Sequence, residues 1–263
     1  MAYQHFEFDV SDGVGTITLN RPGASNSLTL ELVDEFLEIA IACDSDPAVR
    51  AILLTANGSM FCAGADLKLF ASSGDQLGAV VRTMLHGLHS LISRLARMDV
   101  PVVTAVNGTA AGGGFSLAIM GDYVIAAESA NFVMAYTASG LSPDASSTYY
   151  LPRLIGVRRA RQLMLTNKRL GAAQALEWGL IDEVAPDAEL RSTAYAMAAR
   201  LAKGPTAAFG STKRLLLSTF DNGLETQMEL EGAEVTQNAL GRDAQEGIRA
   251  FVEKRPPQFT GRR

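Results

Sequence analysis

The chain has 263 residues, 48% of them hydrophobic, enough for a sizeable core in one large α/β domain or in a domain with an appendage. Its net charge of −5, with Lys and Arg scattered except at Arg158, Arg159 and Arg161, argues against a nucleic-acid surface. Two cysteines, Cys43 and Cys62, and three histidines show no metal-ligand spacing, so free thiols and no structural metal are expected.

The first ten residues carry an early acid and no apolar run of the kind that targets secretion, and a cytoplasmic location is the default expectation. Phe6 to Val10 and Val14 to Leu19 flank Ser11, Asp12 and Gly13 and read as a β-hairpin. After the turn-rich segment Arg21 to Asn26, Leu32, Val33, Phe36, Leu37 and Ala40 recur at helical spacing, with Thr29 as N-cap and the helix ending at Asp44 to Pro47. A buried strand over Val49 to Thr55 leads directly into the glycine loop Phe61-Cys-Ala-Gly-Ala-Asp-Leu-Lys68. A second helix covers Ala79 to Met98, with Val81, Leu85, Leu88, Ile92 and Leu95 in one apolar stripe. His86 falls opposite that stripe, and His89 falls at its edge, where it either reaches a cleft or flanks the core.

The uncharged stretch Val100 to Gly121 is long enough to span a bilayer, yet Pro101, Asn107 and several glycines make it a strand, a loop and a helix instead. The strand is Val100 to Val106, the loop Asn107-Gly-Thr-Ala-Ala-Gly-Gly-Gly114, and the short helix starts near Phe115. Tyr123 to Ala127 and Phe132 to Tyr136 read as further strands, and alternation of strands with helices indicates a layered α/β core. From Arg191 onward only helices are visible, including 205 to 219 and 223 to 239. Leu215, Leu216, Leu217, Met228 and Leu230 there must be buried on the chain's own core or on a neighbouring subunit.

Both glycine loops follow apolar strands and can expose backbone amides, and two such loops face to face would form an oxyanion hole for enolate or tetrahedral chemistry on a thioester. Each alone is also an ordinary turn. Rival glycine motifs fail on inspection. Leu117 stands where a dinucleotide fingerprint needs its third glycine, no phosphate-binding GK[ST] loop exists, and Ala118 spoils a nucleophile elbow around Ser116. Asp144, in Gly140-Leu-Ser-Pro-Asp144, reads from sequence alone as a first-turn helix residue with Pro143 at the first helical position.

Taken together the motifs resemble those of the enoyl-CoA hydratase/isomerase, or crotonase, superfamily along essentially the whole chain. They are Asn20-Arg-Pro22 with Asn26-Ser-Leu28, Phe61 to Leu67, Pro101 to Gly108 with Ala111 to Gly114, Ala175 to Leu180, and Glu246 to Arg255. The resemblance implies an α/β spiral of ββα units carrying the CoA and catalytic site over residues 1–190, and a C-terminal helical oligomerisation region over 191–263, in homotrimers or hexamers. By position, the oxyanion amides are those of Ala65 and Gly113, with the positive end of the short helix beside them. The CoA moiety of an acyl-CoA substrate would lie along Arg21, Ser25, Asn26, Leu28, Ala63, Asp66 and Leu67, with Phe251 and Lys254 supplied by a neighbour. Neither a metal nor a cofactor beyond the substrate's own CoA is implied, and no membrane or nucleic-acid partner.

Hydratases of the family carry one glutamate two residues after the glycine triplet and another in the later loop. Here those positions hold Ser116 and Tyr136, neither of which is a ready base near neutral pH. Asp144 instead matches the acid of certain double-bond and ring-epoxide isomerases, so the resemblance makes it the catalytic base. A third reading follows 4-chlorobenzoyl-CoA dehalogenases, in which an aspartate at the Asp144 position attacks the aryl ring and a histidine at the His89 position serves hydrolysis. Tyr136 and Leu88 depart from that pattern. A non-catalytic acyl-CoA-binding member, or a hydratase of low activity, also fits the missing glutamates.

Overall fold

The computed structural model describes residues 3–261. Strands β1 (Phe6–Ser11) and β2 (Val14–Leu19) form the expected antiparallel hairpin, with Phe6 opposite Leu19. Helix α1 (Leu30–Ser45) starts as expected at Thr29, whose side chain accepts the Leu32 amide at 3.2 Å. Three turns of one unit follow. The first comprises β3 (Ala51–Ala56), β4 (Met60–Cys62), α2 (Leu67–Ser72) and α3 (Leu77–Arg97). The second comprises β5 (Val102–Val106), β6 (Thr109–Ala111) and α4 (Gly113–Ile119), and the third β7 (Tyr123–Ala127), β8 (Asn131–Val133) and α5 (Ser147–Thr166). Short elements β9 (Leu170–Gly171), α6 (Ala172–Glu177) and β10 (Glu183–Ala185) lead to four helices: α7 (Leu190–Ala202), α8 (Thr206–Ser218), α9 (Leu224–Ala239) and α10 (Arg242–Val252).

In each ββα unit the first strand joins one sheet and the second joins another. The larger sheet has the order β1-β2-β3-β5-β7-β10, parallel throughout except for the hairpin; the smaller has the order β4-β6-β8-β9. β3 and β5 are buried along their whole length, which is why they read as unbroken apolar runs rather than alternating ones. This is the α/β spiral implied by the resemblance. α7 lies against β2, β3, β5 and β7 and buries Ala194, Ala198 and Ala202, so the cover of the sheet extends past residue 190.

Two expectations fail here, both beside the site. The strand expected over Phe132 to Tyr136 ends at Val133, because Ala135 takes φ 57° and Tyr136 opens a 3-10 turn over Thr137–Ser139. Asp144 is not in a helical first turn. Ala145 and Ser146 take left-handed φ of 49° and 66°, so α5 begins only at Ser147, whose amide and hydroxyl both donate to the Asp144 carbonyl. Cys43 and Cys62 are buried free thiols. Among the described residues no helix is long and apolar enough to cross a membrane.

Candidate active site

The first glycine loop is pinned on both sides of Ala65. Leu28 donates its amide to the Gly64 carbonyl at 2.8 Å, and the Asp66 amide donates to the Leu28 carbonyl at 2.9 Å. In this strand-like pairing the intervening Ala65 amide points away from Leu28. There, Gly113 is the first residue of α4, and a first-turn amide has no acceptor within its own helix. Neither the Ala65 nor the Gly113 amide has an acceptor among the described residues. Ala65 and Gly113 both line one cavity of about 190 Å³.

Close approach of the two loops explains two of the glycines. Gly64 takes φ +85°, and a Cβ there would sit 2.8 Å from the Ala111 carbonyl oxygen and 3.0 Å from the Gly113 nitrogen. A Cβ on Gly114 would run into the Cys62 carbonyl, so α4 rests directly on β4.

Asp144 lines the same cavity and is the only carboxylate that does so among the described residues; the walls include Phe70, Met84, Leu85, Leu88 and Leu141. Val81 and Leu85 of the expected apolar stripe are only half-buried because they border this space. The Tyr136 hydroxyl donates to Asp144 Oδ1 at 2.6 Å, and Ser116 Oγ lies 3.1 Å from Tyr136 Oη. Burial pushes the Asp144 carboxyl above its ordinary value, against the opposing effects of the Tyr136 hydrogen bond and the His89 charge. Burial and the neighbouring Asp144 push the Tyr136 phenol upward as well, so it holds its proton at neutral pH. The sequence motifs bring Asp144, Tyr136 and Ser116 together, but nothing in their spacing announces the hydrogen bonds that join them.

Of the residues expected along a CoA moiety, Leu28, Ala63 and Leu67 line the cavity. Arg21 and Asp66 do not line it; Arg21 donates to the Ser27 carbonyl at 2.7 Å and lies 3.8 Å from Asp66, whose other oxygen caps α2. Ser27, which the sequence did not single out, donates to Asp66 at 3.2 Å. Ser25 gives its carbonyl to the Ala63 amide. Asn26 is wholly buried, its amide donating to the Asn57 and Met60 carbonyls and its Oδ1 accepting the Arg21 amide, so its side chain shapes the loop and is not offered to a ligand. Phe251, 86% exposed, and Lys254 stand on and just after α10 and do not line the cavity of their own chain.

His89 is exposed and does not line the cavity; it borders an open outer trough of about 1360 Å³ between α1, α3 and α8 and also a pocket shared with Ser146, Tyr149 and Tyr150. His86 is solvent-exposed in the same trough, as its position opposite the stripe requires. Among the described residues no three His, Cys, Asp or Glu side chains gather into a group able to hold a metal ion.

A family model described as enoyl-CoA hydratase/isomerase matches residues 9–262. The chain is 42% identical over 257 residues to the 1,2-epoxyphenylacetyl-CoA isomerase of Escherichia coli K12, covering 96% of this chain and 97% of that protein. It is 40% identical over 264 residues to a Rhodobacter capsulatus protein named "Probable enoyl-CoA hydratase", covering all of both. A crystal structure of enoyl-CoA hydratase from Bacillus anthracis superposes with TM-score 0.91 at 33% identity, covering 98% of this chain and 100% of that one.

Proposed function

Since the chain belongs to the enoyl-CoA hydratase/isomerase family, we propose that it is an acyl-CoA isomerase that shifts a double bond, or rearranges a ring-derived thioester, by moving one proton. The observation that carries this reading is a single carboxylate, Asp144, sharing a cavity with two unengaged amides, those of Ala65 and Gly113. Asp144 removes a proton from C2 while the two amides hold the thioester enolate, each donor worth about 3 kcal/mol in the transition state. The same carboxyl then returns the proton at C4. No electrons leave the substrate, so the step calls for no redox cofactor, and the two amides take the part of the electrophile that polarises the thioester carbonyl. The CoA moiety runs along Arg21, the Ser25–Asn26 turn, Leu28, Ala63, Asp66 and Leu67, with Phe251 and Lys254 contributed by a neighbour in a homotrimer or hexamer.

Hydration would need a second group to activate water, and Ser116 and Tyr136 are protonated hydroxyls near neutral pH. A dehalogenase of the 4-chlorobenzoyl-CoA kind would need His89 in the cavity with Asp144, whereas His89 acts on Asp144 only through its charge and does not line that cavity. The test is a panel of 2-enoyl, 3-enoyl and aromatic CoA thioesters. Asp144→Asn should retain thioester binding within a few-fold and lose at least about 10³ in turnover of a 3-enoyl-CoA. Unchanged turnover would remove Asp144 from the chemistry. Activity on 4-chlorobenzoyl-CoA abolished by His89→Gln would favour the dehalogenase, and binding without conversion across the panel a non-catalytic member. Asp144 must be ionised to act, and burial raises its pKa, so turnover should rise with pH through a limb above the ordinary aspartate value of 3.8.

A further inference from the structure

The two carboxylate oxygens of Asp144 stand in different surroundings. Oδ1 accepts the Tyr136 hydroxyl at 2.6 Å, while Oδ2 accepts no hydrogen bond among the described residues. Tyr136 is buried, and its oxygen lies 3.1 Å from Ser116 Oγ. Ser116 is wholly buried on α4, where its hydroxyl also lies 3.3 Å from the Asp144 carbonyl and 3.4 Å from the Gly112 carbonyl. A chain of hydroxyls therefore runs from the helix that supplies the Gly113 amide to the Asp144 carboxylate.

We infer that Tyr136, backed by Ser116, is a positioning residue that holds Oδ1 of Asp144 fixed and leaves Oδ2 as the one oxygen that exchanges a proton with the substrate. The inference rests on the reading of Asp144 as the proton shuttle. An O–H bond to a carboxylate is among the stronger hydrogen bonds and fixes the plane of the carboxyl group. Removal at C2 and return at C4 then pass through one atom on one face of the substrate. In the first step Oδ2 takes the C2 proton, the C–H pair becomes the C1–C2 bond of a dienolate, and the carbonyl pair moves onto the thioester oxygen. In the second step that pair re-forms the carbonyl and the C1–C2 pair becomes the C2–C3 double bond. The former C3–C4 pair takes the proton back from Oδ2, leaving Asp144 as it began.

The phenol also acts on the charge. Among the described residues the titratable groups acting on Asp144 are Tyr136, from the turn after β8, and His89, from α3; Ser116 on α4 is neutral. Burial favours the protonated carboxyl and the phenol favours the ionised one, so Tyr136 keeps the base available at lower pH than its burial alone would allow.

The experiment is a carbon-13 NMR titration of the full-length protein labelled at the aspartate carboxyl carbons, with Asp144→Asn identifying the Asp144 signal. In Tyr136→Phe the Asp144 titration should move up by about one pH unit, the expected effect of losing a hydrogen bond to a charged group. In Ser116→Ala, which leaves the phenol in place, it should move the same way by less. With a 3-enoyl-CoA, the acid limb of kcat in Tyr136→Phe should move in parallel, kcat should fall about tenfold, and KM should stay within about twofold. An Asp144 titration that moves in neither variant overturns the inference; if Tyr136→Phe does not fold, an unmoved titration in Ser116→Ala does so alone. A shifted titration in a protein whose wild type converts none of the thioesters upholds the positioning role and removes the isomerase reading. Wild-type isomerisation with an unmoved titration does the reverse.

Discussion

Gly114 sits in α4 with no room for a methyl group, because a Cβ would meet the Cys62 carbonyl, which is backbone and cannot rotate away. Gly114→Ala should therefore push α4 off β4, lowering stability by about 2 kcal/mol and the melting temperature by roughly 5 °C. It should also reduce turnover, because Gly113 moves with the helix; a variant that melts like wild type and turns over normally would show that the contact relaxes freely. The sequence marks this glycine only as a member of a triplet and says nothing of what it touches. Asp144 teaches the same lesson. Its sequence neighbourhood, with Pro143 before it, matches a helix start, yet left-handed Ala145 and Ser146 delay that start to Ser147. Positive φ at two non-glycine residues is imposed by their surroundings and leaves no trace in residue type. Only the likeness to isomerases pointed to the role proposed for it.

The long elements were legible because they repeat: α1, α3, α8 and α9 each fall within about two residues of the expected spans, and the apolar runs of β3 and β5 were evident. Strands β4, β6, β9 and β10 have three residues or fewer and show no period, although β4 and β6 carry the two loops of the site. Also invisible in sequence is the fastening of α10. Arg50, just before β3, donates to the carbonyls of Gly204 at 2.5 Å and Phe259 at 2.9 Å. Asp243, buried in the first turn of α10, accepts the Thr260 and Gly261 amides, each at 2.7 Å. The segment after α10 is thus clamped between the core and the helix it follows. Arg50→Ala should speed amide hydrogen exchange across α10 and residues 256–261 by about tenfold or more while leaving β3 and β5 protected. Equal acceleration in the sheet would mean that Arg50 supports the whole core instead.

A single copy leaves its C-terminal helices unfinished. α9 has no buried residue along its 16 positions, and Leu224, Met228 and Val235 on one face are 68%, 51% and 65% exposed. A helix of this length is marginal in water without a packed face, and the apolar surface continues onto Leu240, Ile248, Phe251 and Val252. The sequence leaves open the chain's own core or a neighbour as cover, and the chain's own core buries no residue of α9. We expect sedimentation of the wild-type protein to give a trimer or hexamer, and Met228→Glu with Val235→Glu to shift it toward monomer. The consequence for the site separates this from simple solubility. If Phe251 and Lys254 reach a neighbour's CoA moiety, the dissociated variant should raise KM for the thioester about tenfold or more, while the pH at which Asp144 titrates stays where it was, because Asp144, Tyr136 and Ser116 all belong to one chain. A monomer that binds the thioester as tightly as the assembly would confine the binding site to a single copy, and a wild type that sediments as a monomer would leave α9 needing another cover.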